Sequence, residues 1–174
     1  MGLLDRLFPS SAPSRTAAPG SVMPAPSSED VSEGKGLAAF FTEDHSACDR
    51  LWAEVEGADE GPDAVAAFHR FDAALRRHLG WEEDVIFPAF EDASGHRGFG
   101  PTVVMRGEHM QMRSVLDAMA QAAGGGDHQG VLDHGDTLLM LIQQHNAKEE
   151  GMLYPMAEGV LQGAWSGLRS RLRE

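Results

Sequence analysis

The chain of 174 residues has a single cysteine, Cys48. That excludes an internal disulfide framework and any multi-cysteine zinc or iron–sulfur site, and makes a reducing cytoplasm the expected location. Positive charge is also scarce: 14 Lys and Arg against 27 Asp and Glu leave a formal net charge of −13. No basic stripe is available to neutralise phosphates or to hold an anionic bilayer surface, so nucleic acid is not an expected partner. Long hydrophobic runs are missing. The longest purely aliphatic stretch, Leu138 to Ile142, is far short of a membrane span, and "MGLLDRLF" has no basic residues ahead of its apolar ones. Neither insertion nor export is expected. H-E-x-x-H, E-x-x-H, G-x-S-x-G, Walker A and G-x-G-x-x-G are all absent, which leaves metalloprotease, ferritin-like, serine-hydrolase and nucleotide-binding readings without support.

What the chain does have is eight histidines in an acidic, nearly thiol-free background, and imidazole with carboxylate is the ligand set of a non-thiolate metal site. Residues 1–35 hold Pro9, Pro13, Pro19, Pro24 and Pro26 among Ser, Ala and Gly, a composition that predicts a disordered arm. Its first turn, Leu3, Leu4, Leu7 and Phe8, forms at most a short amphipathic helix for an unknown protein partner. From Leu37 onward the apolar positions step by three and four, the spacing of a helix face. Four stripes emerge: Phe41, His45, Cys48, Trp52, Val55; Phe68, Phe71, Leu75, His78, Glu82, Val85, Ala89; Met105, His109, Met112, Leu116, Met119, Ala123; and Leu138, Ile142, His145, Glu149, Met152, Met156. The breaks "GADEGPD", "DASGHRGFGP" and "GGGDH" are short and rich in turn residues. An all-α, up-and-down four-helix bundle over residues 36–158 is expected. Residues 159–174, with Val160, Leu161, Trp165, Leu168 and Leu172, read as a short C-terminal capping helix.

The bundle contains an internal repeat. "HLGWEEDVIFPAFE" (78–91) lies over "HNAKEEGMLYPMAE" (145–158), with His, Glu, Glu, Pro and Glu identical. His45 and His109 stand 33 and 36 residues ahead of His78 and His145, so each half is a helix with one histidine followed by a helix with H-x-x-x-E. In both, His and Glu occupy the apolar stripe, where an unpaired carboxylate would cost several kcal/mol unless neutralised or coordinated.

Residues i and i+4 of a helix lie about 6 Å apart along the axis and about 40° apart around it. His78 with Glu82, and His145 with Glu149, therefore address one point in the core. The simplest arrangement gives one metal His45 and His78 and the other His109 and His145, with Glu82 and Glu149 bridging. Six N/O ligands for two ions leave open positions, which favours iron over closed, thiolate-rich zinc sites and keeps manganese as an alternative.

This order of ligands, lone His, H-x-x-x-E, lone His, H-x-x-x-E, resembles the hemerythrin-like (HHE cation-binding) family over roughly residues 37–158, including "EEDVIFP" and "EEGMLYP" at what read as helix ends. The resemblance implies two non-haem irons, oxo- or hydroxo-bridged, held by His45, His78, Glu82, His109, His145 and Glu149. It further implies a small ligand, O₂, NO or peroxide, in redox or nitrosative stress handling. Iron storage or delivery for repair of iron centres, and gas or redox sensing without turnover, are the alternatives; turnover itself is left open. Oxygen-carrying hemerythrins have H-x-x-x-H on the third helix, where Arg113 stands here, and H-x-x-x-x-D on the last, where Glu149 and Glu150 stand at four and five.

Among the remaining residues, Cys48 reads as a small buried hydrophobe rather than a redox thiol. Tyr154 matches Phe87 in the repeat, which favours packing over proton or radical transfer. Methionines 105, 112, 119, 152 and 156 read as adaptable core. Arg113 either faces a metal-bound anion or solvent, and Glu83, Glu108 and Glu150 either orient imidazoles or lie exposed. His69, His96, His128 and His134 are expected at the surface.

Overall fold

A computed structural model describes residues 35–172; the proline-rich arm and its Leu3–Phe8 turn lie outside them. Two helices open with a Gly–Pro pair. Gly61 and Gly100 take φ of +142° and +92°, a region that favours glycine, and Pro62 and Pro101 then supply the preset φ of a first helical turn. The helices are α1 (Leu37–Glu56), α2 (Pro62–Trp81), α3 (Phe87–Ser94), α4 (Pro101–Gly124), α5 (His128–Lys148), α6 (Tyr154–Leu161) and α7 (Trp165–Arg169). Asp127 caps α5 by accepting the Gly130 N–H at 2.8 Å.

Two π-helical turns, Glu82–Ile86 and Glu149–Leu153, join α2 to α3 and α5 to α6 into continuous rods. The result is an all-α, up-and-down four-helix bundle, with α1 against α2, α2 against α4, α4 against α5, and α6 back against α1 and α3. Beyond α6 the chain turns back over the start of α1, where Trp165 Nε1 donates to the Lys35 carbonyl at 2.8 Å and the indole packs on Phe40 and Phe41. The tail expected as one helix over 159–174 is thus divided, its first part being the end of α6.

The π turns correct the expectation that "EEDVIFP" and "EEGMLYP" end their helices. In each, the N–H of the residue before proline, Phe87 or Tyr154, reaches five residues back to the carbonyl of Glu82 or Glu149. Pro88 and Pro155 have no N–H to give, and widening the turn relieves the clash of a proline ring with the preceding turn. At the first turn the Glu83 carbonyl, deprived of an α-helical donor, accepts from Arg106 Nη1 at 3.2 Å.

The extra residue in each π turn advances the buried face by one position. After Glu149 the core is Leu153, Tyr154, Ala157 and Leu161, while Met152 and Met156 are 46 % and 42 % exposed. After Glu82, Phe90 rather than Ala89 is fully buried. The fourth stripe therefore departs from the straight-helix expectation at Met152 and Met156. The second stripe departs at Ala89, and elsewhere the stripes are buried as expected, Met105, Met112 and Met119 included.

The apolar core is in two parts. One holds Trp52, Phe68, Phe71, Leu75, Met112, Leu116 and Leu138; the other holds Phe41, Ile86, Phe87, Phe90, Met105, Leu153 and Leu161. Between them runs a polar layer in which His45, His78, Glu82, His109, His145 and Glu149 are all buried.

Candidate metal centre

All six sequence-predicted site residues converge in that layer. His45 Nε2 and His78 Nε2 are 3.1 Å apart, and so are His109 Nε2 and His145 Nε2. Glu82 reaches both pairs, its Oε2 lying 3.5 Å from His78 Nε2 and 3.3 Å from His109 Nε2. Glu149 divides its oxygens, Oε2 lying 3.3 Å from His45 Nε2 and Oε1 3.0 Å from His145 Nε2. Glu82, His109, His145 and Glu149 each offer a ligand atom within 4.8 Å of the others, as do His45, His78 and Glu149.

Every imidazole is held from behind by a carboxylate. Nδ1 of His45 is 2.8 Å from Glu150, that of His78 2.9 Å from Asp44, that of His109 2.8 Å from Glu83 and that of His145 2.9 Å from Glu108. With Nδ1–H donating outward, each neutral ring turns an acceptor Nε2 inward. Two acceptors facing each other at 3.1 Å need a cation between or beside them, either a proton or a metal. Glu82 Oε2 and Glu149 Oε1, both buried, have no hydrogen-bond partner, a costly arrangement unless a cation satisfies them. The donor set fits two metal ions on both counts.

The orienting carboxylates follow the repeat: one acid directly precedes each lone histidine (Asp44, Glu108), and one directly follows each central glutamate (Glu83, Glu150). Three of them hold a cation on the outside, Asp44 with Arg77 at 3.3 Å, Glu83 with Arg113 at 3.0 Å, and Glu108 with Lys148. Arg113 thus turns to Glu83 and anchors the carboxylate behind His109. Asp44 escaped sequence reasoning, although its place before His45 matches that of Glu108 before His109.

Tyr154 is the larger omission. Its repeat partner Phe87 argued for packing alone, yet its buried hydroxyl is 2.8 Å from Glu82 Oε1, 2.9 Å from Glu149 Oε2 and 3.1 Å from His45 Nε2. The one phenol proton is donated to one carboxylate at a time. Phe87 instead stacks on the His109 ring at 5.6 Å and 27°. The signal available in the sequence was the replacement of Phe by Tyr at matching positions of the repeat.

Burial and the adjacent Glu149 carboxylate push Glu82 well above the usual carboxylate range. Glu149 goes the other way: burial raises it, but His145 and His45 outweigh that and hold it low. Burial, and then the neighbouring His145, lower His109 to about 4, and burial lowers His78. His45 is raised because Glu149 and Glu150 together overcome its burial. Burial pushes the Cys48 thiol up to about 12, which suits a small hydrophobe and not a reactive thiolate. His69 and His134 are exposed, while His96 and His128 are half-buried, His96 stacking on Phe90.

A groove of about 600 Å³ between α1 and α5 runs past Thr42, Asp49 and Asn146 to His45 and Glu150. His45, at 5 %, is the most exposed of the six central residues, so the layer meets solvent on this side.

The family model of the hemerythrin HHE cation-binding domain matches residues 36–157. The chain belongs to that family. No curated protein and no solved structure matches it. Family membership and the buried His/Glu cluster make this a metal-binding module. Among the described residues, no helix is long and apolar enough to cross a membrane.

Proposed function

We propose that this hemerythrin-domain protein holds two non-haem irons and binds or reacts with O₂, NO or peroxide in redox or nitrosative stress. In this reading His45 and His78 serve one ion, His109 and His145 the other, and Glu82 and Glu149 bridge them. The observation that carries it is the pair of inward-facing Nε2 couples at 3.1 Å together with the unpartnered Glu82 Oε2 and Glu149 Oε1.

Two irons, when bound, supply redox chemistry and open positions for a small ligand. The chain supplies the rest. The four imidazoles are held in one tautomer by Glu150, Asp44, Glu83 and Glu108. Apolar clusters above and below the layer exclude bulk water. The groove ending at His45 admits small molecules and carries no basic lining that would select a large anion.

The test is metal content together with the optical spectrum of anaerobically reduced protein, before and after separate additions of O₂, NO and peroxide. Two irons per chain with a reversible band support carriage or sensing. Irreversible oxidation with catalytic consumption of one addition makes the protein an enzyme. Iron that chelators strip easily under reduction favours storage or delivery. Absence of bound iron after expression in iron-replete medium overturns the reading.

A further inference from the structure

The two halves of the metal layer are related by the repeat but are not equivalent. First-row ions bind N and O donors at about 2.1 Å, so cis donors around one six-coordinate ion stand about 3.0 Å apart. Tyr154 Oη keeps that spacing to three candidate donors at once, 2.8 Å to Glu82 Oε1, 2.9 Å to Glu149 Oε2 and 3.1 Å to His45 Nε2. His45 Nε2 in turn keeps it to His78 Nε2 at 3.1 Å and to Glu149 Oε2 at 3.3 Å. Tyr154 Oη thus adjoins the group formed by His45, His78 and Glu149, whose ligand atoms lie within 4.8 Å of one another. The other group has four: His109, His145, Glu82 Oε2 and Glu149 Oε1, with spacings of 3.0 to 3.3 Å. Where a fifth would stand by repeat symmetry is Phe87, whose ring stacks on His109 and carries no donor.

We infer that Tyr154 is a direct phenolate ligand of the metal held by His45 and His78, and that the two metal positions are therefore chemically distinct. This rests on the di-metal reading above. On loading, the Tyr154 O–H bond is exchanged for an oxygen–metal bond and its proton leaves to solvent, with no change in oxidation state. Only the His45–His78 position then has a phenol donor, the matching place beside His109 being taken by Phe87.

Phenolate bound to iron(III) produces a visible charge-transfer band and resonance-enhanced tyrosine ring vibrations, and Tyr154 is the only tyrosine in the sequence. Loading the full chain with iron, oxidising it and recording both signals, with iron content measured on the same sample, is the test. Expected are both signals in the parent protein and their complete loss in Tyr154→Phe, a change the fold already accommodates at Phe87. Iron bound in the parent protein without either signal overturns this inference and leaves the di-metal reading standing. Failure to bind iron at all is instead the failure of that reading. Should Tyr154→Phe lose iron, the vibrations in the parent protein decide alone, since no other residue can produce them.

Discussion

Asp44 accepts the Nδ1–H of His78 at 2.9 Å, joining α1 to α2 at the back of an imidazole whose other nitrogen faces the metal layer. Burial raises the Asp44 carboxyl, but His78 and Arg77 more than offset this and keep it ionised. Removing such an orienting partner typically weakens metal binding about 10–100-fold. Asp44→Ala is expected to fall in that range, measured by competition with a chelator of known affinity. Unchanged affinity would mean that packing against Phe41 alone holds the ring.

Glu82 and Glu149 stand between the two histidine pairs, so neither has a substitute. Glu82→Ala or Glu149→Ala is expected to strip most of the metal, a larger loss than Asp44→Ala causes, as read by elemental analysis of purified protein. Full retention of iron in both variants would sink the bridging assignment.

Protons and metal compete for the same atoms. Glu82 sits well above the usual carboxylate range because it is buried beside Glu149, so the metal-free protein keeps a proton there that binding must expel. Metal affinity is therefore expected to rise with pH, and titration in weak buffer to release protons. An affinity independent of pH between about 5 and 7 would contradict this.

His109 contributes to the acid behaviour of the metal-free fold. Its folded value of about 4 lies below the ordinary 6.5, so as pH falls through that window the unfolded chain takes up a proton before the folded one does. Stability should drop over the same window, with the lowered His78 adding to the effect and the raised His45 and Glu82 opposing part of it. Thermal unfolding of chelator-treated protein at a series of pH values measures the balance. His109→Asn, which removes this titration, should flatten the fall.

Gly135 lies on the buried face of α5, where a methyl group would overlap the Trp52 indole. Alanine gains about 1 kcal/mol of helix propensity, whereas overpacking costs about 1–3 kcal/mol. The indole is wedged against Phe71 at 5.2 Å, so the penalty wins and Gly135→Ala should unfold at lower temperature. A higher melting temperature would show that Trp52 yields freely.

The bundle and its six central residues were legible because a polar side chain on an apolar stripe is a local, countable anomaly. His45, His78, His109 and His145 each interrupt a three–four rhythm, and the 67-residue offset between His78 and His145 repeats the interruption. What escaped depended on backbone geometry or on partners far away in the chain. Met152 and Met156 satisfied a regular α-helical period that the turn at Glu149 does not keep. Tyr154 touches His45 across 109 residues, a proximity that no spacing within one helix encodes. The role of Asp44 exists only once α1 lies on α2.

The π turns let each long rod obey two phase requirements at once. Upstream of Glu82 and Glu149 the rotation of the helix is set by where the histidine must point; downstream it is set by which residues must cover the end of the core. One added residue resets that rotation by about 100°. Asp84, Gly151 and Met152 face solvent, so exchanging any of them should be nearly silent. Deleting one would be a frameshift in three dimensions, swinging Phe90 or Leu153 and Tyr154 off the core while the residues before the gap stayed in place. In these two short stretches residue count carries more information than residue identity.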